Sequence, residues 1–92
     1  MEWDIVDFSL LEGYKIHLTF KTGETGIVDL RPYTLRGGVF ARFQNMQYFQ
    51  QVYIDSGVLT WPDGVDIAPE TIYSMATGKP LPEWMEPDEK TV

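Results

Sequence analysis

The sequence predicts an α+β fold: a small antiparallel sheet, made of a three-stranded meander plus a second hairpin, with two or three short helices. Three observations predict this class. Residues 14–20 alternate strictly between apolar and polar side chains, as a strand with one buried face does. Glycine-containing turns separate further β-rich runs. Residues 46–51 and 69–77 have the apolar spacing and the flanking residues of short helices.

Length and composition set the limits of this prediction. The 92 residues suffice for one domain with a modest core, and a hydrophobic fraction of 43% excludes a wholly disordered chain. The absence of cysteine excludes disulfides and thiol catalysis. The N-terminus carries acids where a secretory signal has bases, and no apolar run approaches the ~18 residues of a membrane span. We therefore expect a cytoplasmic protein.

The meander occupies the first third of the chain. Its strands are predicted over residues 2–10, 14–20 and 25–30, and the tight connections between them favour antiparallel pairing. On the first strand, the side chains predicted to share one face are Val6, Phe8 and Leu10. On the second strand, the apolar face is formed by Tyr14, Ile16, Leu18 and Phe20.

The middle of the chain predicts short helices and the second hairpin. Residues 39–43 predict one helical turn, and Asn45 is a suitable N-cap for a helix over residues 46–51. The runs 52–55 and 58–61 flank a glycine-containing turn, which is typical of a hairpin.

A last helix is predicted over residues 69–77. Pro69 suits its first position, where the missing N–H would be unpaired in any case, and Glu70 complements the helix dipole. The predicted inward stripe consists of Ile72, Met75 and Ala76. The domain is then expected to span residues 1–78, followed by an extended, Pro-rich acidic tail over residues 79–92.

The most distinctive run extends from Trp61 to Glu70 and contains three acids. Carboxylate oxygens are the ligands that Mg²⁺ and Ca²⁺ prefer, so a metal site is one interpretation. The other gives each acid a local role: Asp63 in a turn, Asp66 accepting backbone hydrogen bonds before the last helix, and Glu70 in its first turn. Because no metal-site spacing matches, we favour the local roles and predict no metal or other cofactor. Trp61 itself is expected to lie in the core, since a chain of this size has few large side chains to fill one.

Four segments carry a resemblance to a known family. They are residues 16–20 with Gly23-Glu24, residues 28–30, Phe49 leading into Val52, and the run Trp61, Pro62, Asp63, Gly64, Asp66, Pro69 and Glu70. With these segments the chain resembles domain of unknown function 2442, a family of small, mostly bacterial proteins. The resemblance implies a small α+β fold and supplies no activity and no catalytic residues.

The resemblance also implies a biological setting. Members look like partners in toxin–antitoxin-type gene pairs, and some carry an added helix-turn-helix domain. Only fourteen residues follow Gly78 here, so the expected role is not that of a direct repressor.

The segment over residues 30–54 is the candidate binding region. It contains no acid, and its charged residues are Arg31, Arg36 and Arg42. Arginine and aromatic residues are enriched at interfaces, so a docking surface is predicted here. The proposed contact residues are Arg31, Arg36, Arg42, Tyr33 and Tyr48, together with Trp84 and Met85 in the tail. In the alternative interpretation, the aromatic rings form the core and the arginines are solvated.

Three function classes follow. The first is a non-enzymatic protein-interaction module, antitoxin-like, whose net charge of −7 suits a basic partner encoded nearby. The second is a nucleic-acid-linked regulator acting through the arginines of residues 30–54, although the net charge opposes direct binding to nucleic acid or anionic lipid. The third is a carboxylate metal-binding protein. No residue pattern predicts catalysis. Exposed sheet edges make a homo-oligomer an alternative to a foreign partner.

Overall fold

Two three-stranded antiparallel sheets form the framework of the protein. The structure is a computed structural model that describes residues 3–80. In each sheet the strands are neighbours in chain order, so each sheet is a meander. Short helices connect the two sheets, and one longer helix follows the second sheet. The predicted α+β class is confirmed.

The first sheet consists of β1 (Ile5–Leu10), β2 (Lys15–Phe20) and β3 (Thr25–Asp29). The central strand is β2, which pairs with β1 and β3 in antiparallel register. As its alternating sequence predicts, one face of this strand is fully buried and the other faces solvent. The buried side chains are Ile16, Leu18 and Phe20.

The first strand departs from the predicted alternation. Its pairing with β2 shifts between Ile5 and Asp7, which marks a β-bulge. The bulge directs Ile5 into the core, at 1% exposure, and leaves Val6 56% exposed. The prediction that Val6 shares the inward face with Phe8 and Leu10 is therefore wrong, because an extra residue in a strand interrupts the two-residue period.

Helical turns link the two sheets. Two 3₁₀ helices span Arg31–Leu35 and Gly38–Gln44, and they are followed by α1 (Met46–Phe49). The side chain of Asn45 accepts a hydrogen bond from the backbone N–H of Gln47 at 3.0 Å, which confirms the predicted cap. The helix ends at Phe49, two residues before the end of the predicted range.

The second sheet is larger than predicted. The expected hairpin is present as β4 (Tyr53–Asp55) and β5 (Val58–Trp61), but β6 (Val65–Ile67) pairs with the other side of β5. The chain turns into β6 through Asp63 and Gly64, which both have positive φ values, 68° and 77°. Three residues are too few for a two-residue period to be recognised in the sequence, so the alternation of β6 gave no signal.

The third strand of this sheet changes the role of Asp66. This residue lies in β6 opposite Thr60 and is exposed. The next element, α2 (Pro69–Thr77), has Ala68 at its N-cap position, where no side chain caps the helix. The prediction that Asp66 caps the last helix is wrong, because the backbone stays extended until Ala68.

The last helix has the predicted bounds but a different inward stripe. Ile72 is fully buried and Thr71 is 4% exposed, whereas Met75 is 39% exposed, so the prediction for Met75 is wrong. The helix packs on β3, where a Cβ placed on Gly26 would lie 2.6 Å from the carbonyl oxygen of Ala76. This close backbone approach fixes the rotation of α2 and places Met75 at the margin of the contact.

Three aromatic side chains join the helical segment to the second sheet. Ring centroids lie 4.6 Å apart for Phe43 and Trp61, and 5.2 Å apart for Phe43 and Phe49. The indole N–H of Trp61 donates to the backbone carbonyl oxygen of Phe49 at 2.8 Å. All three side chains are fully buried, which confirms the core position predicted for Trp61.

A polar cluster fastens the end of α2 to the turn between β2 and β3. The hydroxyl of Tyr73 donates to Glu24 Oε1 at 2.6 Å, and Lys79 Nζ lies 2.7 Å from Glu24 Oε2. The hydrogen bonds from Lys79 and Tyr73 lower the pKa of the Glu24 carboxyl from 4.5 to about 2. Fifty-five positions separate the two members of the ion pair, so local sequence patterns gave no indication of it.

Replacing Trp61 by Phe is expected to lower the free energy of unfolding by about 2–4 kcal/mol. The change removes the donor to a buried carbonyl oxygen and leaves unfilled volume in a close-packed core. Urea unfolding followed by circular dichroism measures the loss. Trp3→Phe is the matched control and should cost less than about 1 kcal/mol, because Trp3 is only half-buried. Equal losses for the two variants would contradict the central position of Trp61.

The Glu24 cluster should give stability a defined pH dependence. Because folding lowers the pKa of Glu24, the ionised carboxylate stabilises the fold fully above pH 4.5, and this contribution is lost as the pH falls from there through about 2. The stability difference between the wild type and Glu24→Gln should therefore shrink over this interval. Lys79→Met, which removes the largest cause of the lowered pKa, should raise the folded-state pKa toward 4.5, so the interval narrows from its lower end and the stability difference above pH 4.5 becomes smaller. A difference that is constant with pH would refute this account.

Candidate functional site

The three acids of the Trp61–Glu70 run do not form a common site. Asp63 is exposed and pairs with Arg42 at 2.8 Å. Asp66 is exposed on β6, and Glu70 lies half-buried in the first turn of α2. Among residues 3–80, no three or more histidine, aspartate or glutamate side chains are placed so that they could hold a metal ion. The run therefore contributes a strand, a turn, a further strand and a helix start.

The rings of residues 30–54 lie mainly inside the protein. Tyr33, Phe43 and Phe49 are buried, and Phe40 packs against the core. Tyr48 is half-buried, with its hydroxyl donating to the backbone carbonyl oxygen of Pro62 at 2.8 Å. Tyr53 is the one ring of this set that is largely open to solvent, at 46% exposure. Most of these rings therefore stabilise the fold.

The arginines of the same segment lie outside, over the rings. The guanidinium carbon of Arg36 is 4.0 Å from the ring centroid of Tyr33, a close cation–π contact. Longer contacts, 5.5 Å and 5.9 Å, place Arg31 over Tyr14 and Arg42 over Tyr48. The structure thus combines both interpretations of this segment: most of its rings pack in the core, and its arginines lie on the surface above ring faces.

The three arginines are not equivalent. Arg42 forms an ion pair with Asp63, so part of its charge is balanced at the surface. Arg31 borders a shallow hollow of about 220 Å³ whose walls contain two acids and two bases. The hollow is lined by Glu12, Gly13, Tyr14, Lys15, Asp29 and Arg31. Its charges balance, so it selects neither anions nor cations.

An apolar and cationic patch surrounds the third arginine. Leu35 is 86% exposed and Val39 is 54% exposed, on either side of Arg36 in the chain. We call the side chains of Leu35, Arg36 and Val39 the Arg36 surface. The turn between the two 3₁₀ helices passes through Gly37 and Gly38, which have φ values of 74° and 57°, a region that glycine enters without strain. Two short, core-packed helices thus present the patch.

The predicted contact residues do not all lie in one place. Arg36 lies in the patch over the ring of Tyr33, Arg31 borders the hollow, and Arg42 pairs with Asp63. Leu35 and Val39 were not predicted as contact residues. Their position on either side of a Gly-Gly turn is the sequence signal that could have indicated their exposure. Trp84 and Met85 lie outside the described residues.

The outer edge of the first sheet is partly blocked. In the described part of the chain, β1 has a neighbouring strand on one side only. The backbone N–H of Phe8 donates to the carboxylate of Asp7 at 2.9 Å, and the bulge at Val6 distorts the same edge. Both features are typical of edges protected against strand pairing. Among residues 3–80 there is also no helix with the length and apolar character that crossing a bilayer requires.

Comparisons with known proteins identify a family and leave its function open. A family model described as "Protein of unknown function (DUF2442)" matches residues 5–78, from the start of β1 to the glycine that ends α2. No curated protein and no solved structure matched the chain. The match covers both sheets, the 3₁₀ helices and α2, which is most of the chain. The chain therefore belongs to the DUF2442 family.

Proposed function

We propose that this chain is a non-enzymatic protein-interaction module that binds a partner protein in the cytoplasm through the Arg36 surface. The observation that carries the proposal is the exposure of Leu35 and Val39, at 86% and 54%, on both sides of an arginine held over a buried ring. Exposed apolar side chains next to arginine form the composition that interface centres favour.

The energetics of this patch suit binding. Burying a leucine or valine side chain fully is worth about 1.5–3 kcal/mol, so two such side chains can supply a substantial part of a moderate affinity. Arg36 lies over the ring of Tyr33 before a partner arrives, so less side-chain freedom is lost on binding. The second 3₁₀ helix is anchored by buried Phe43, so the backbone is also preorganised.

The charge of the patch indicates the chemistry of the partner. The Arg36 surface combines one cationic side chain with two exposed apolar ones, so it favours a partner that presents carboxylates beside apolar side chains. In the antitoxin-like form of the proposal, a small protein encoded nearby would present such a segment. A wholly basic partner would instead have to bind the acidic faces elsewhere on the chain.

The two alternative functions receive less support. Single-stranded RNA is usually bound by stacking bases on exposed rings, but Tyr33, Phe43 and Phe49 are buried. Metal binding lacks a cluster of ligands among residues 3–80. A gel shift at low salt and a metal-dependent thermal shift test these alternatives directly.

Charge and polarity changes in the Arg36 surface should weaken partner binding strongly. The tagged chain is co-expressed with the product of the neighbouring gene, and the dissociation constant of the purified complex is measured by calorimetry. Leu35→Asp and Arg36→Glu should each weaken binding about 30-fold or more, which corresponds to the roughly 2 kcal/mol of an interface hot spot.

The matched control is Lys21→Glu, which makes the same charge reversal at an exposed position in the turn between β2 and β3. It should change the dissociation constant less than about threefold. Circular dichroism verifies that all three variants are folded. The proposal is contradicted if the co-expressed protein does not bind, or if the control weakens binding as much as the two surface variants do.

A further inference from the structure

The free edge of β3 is regular, in contrast to the bulged edge of β1. In the described residues β3 pairs with β2 only, and the pairing keeps one continuous register. The backbone bonds from Phe20 to Glu24 and from Leu30 to Tyr14 belong to this ladder at its two ends. Because hydrogen-bonded and non-hydrogen-bonded pairs alternate in an antiparallel ladder, every second residue of β3 points its N–H and C=O away from β2. These residues are Thr25, Ile27 and Asp29, and we call their outward backbone groups the β3 edge.

The β3 edge is open within the part of the chain that the structure describes. No hydrogen bond among residues 3–80 uses its backbone groups, and the side chain of Ile27 is 53% exposed on the outer face. The last helix packs on the inner face instead. There Ala76 lies against Gly26, and the ring of Tyr73 is 5.1 Å from that of Phe20 in β2. A regular edge with unpaired backbone groups can pair with another strand.

The sequence of β3 makes this edge complementary to itself. When two copies of the strand run antiparallel about a two-fold axis at Ile27, the two isoleucines lie opposite each other, and each Thr25 lies opposite Asp29 of the other copy. Two hydrogen bonds for each of the three opposed pairs make six in all, so this register uses every group of both edges. The exposed isoleucines cover each other, and the threonine hydroxyl can donate to the carboxylate, so no like charges are opposed.

We propose that two copies of this chain associate through the β3 edge, so that their first sheets form one six-stranded antiparallel sheet. A second copy supplies the complementary strand by symmetry. The two-fold axis is perpendicular to the sheet, so both α2 helices lie on the same side of it. The blocked β1 edges remain on the outside of the assembly. The contact uses no residue of the Arg36 surface, so it goes beyond the proposed function and does not rest on it.

The absence of cysteine from the sequence allows the register to be tested by disulfide formation. In an antiparallel hydrogen-bonded pair the two Cα atoms lie about 5.5 Å apart, a distance that a disulfide spans. The full chain with Ile27→Cys should therefore form a disulfide-linked dimer on mild oxidation. Non-reducing electrophoresis and mass spectrometry measure how fast it forms.

The matched control is Thr25→Cys, at an exposed position on the same face of the same strand. In the proposed register the two copies of this residue lie four positions apart, which is about 13 Å along the strand and too far for a disulfide. The Ile27→Cys variant should link at least about tenfold faster than the control.

Sedimentation equilibrium of the unmodified chain measures the association itself. Concentrations from about 10 µM to 1 mM cover the affinity of a small interface, and the wild type should dimerise within this range. Ile27→Lys opposes two like charges and removes an apolar pair, so it should raise the dissociation constant of the dimer about tenfold or more. Ser9→Lys makes the same change of charge at an exposed position on β1 and should alter the dissociation constant less than about threefold.

Each contrary outcome overturns the inference. A wild type that stays monomeric at about 1 mM has no such contact, and equal linking rates of the two cysteine variants indicate random collisions. A dimer that is weakened by Ser9→Lys and not by Ile27→Lys uses the β1 edge. Circular dichroism verifies that the variants are folded. Because all of these measurements use the isolated chain, their failure leaves the calorimetric test of partner binding intact.

Discussion

The hydrogen bond from the indole of Trp61 to the carbonyl of Phe49 is the contact on which the rest of the structure depends. It ties the end of α1 to the last residue of β5. Phe43 packs against both rings, so the second 3₁₀ helix is held by the same cluster. A chain of 92 residues has room for a single core of modest size, and this cluster joins its helical segment to the second sheet.

One consequence concerns the surface. Because the rings of residues 30–54 are directed into the core, the arginines between them are left on the outside, where they lie over ring faces. Arg36 is held in this way over Tyr33, while the adjoining Leu35 and Val39 have no such inward position and remain exposed. The candidate docking surface is therefore a by-product of how the core is filled, and its side chains are preorganised by that core.

The sequence predicts most of the fold and less of the candidate site. Strict alternation predicted β2, and helix-end signals predicted α2, because both depend on local patterns. The bulge at Val6 and the strand β6 were missed because each involves one to three residues, which is shorter than a recognisable period. The ion pair of Arg42 could not be read from local sequence, since its partner Asp63 lies twenty-one positions away. The exposure of Leu35 was likewise set by tertiary packing.

The central claim is that the Arg36 surface is where this protein meets its partner. Hydrogen–deuterium exchange on the full chain, alone and in complex with the co-expressed protein, tests it most directly. The account predicts slower exchange on binding at residues 35–42, with residues 6–11 and 61–70 unchanged. Slower exchange at the edge of β1 or along the Trp61–Glu70 run, with residues 35–42 unchanged, would contradict it.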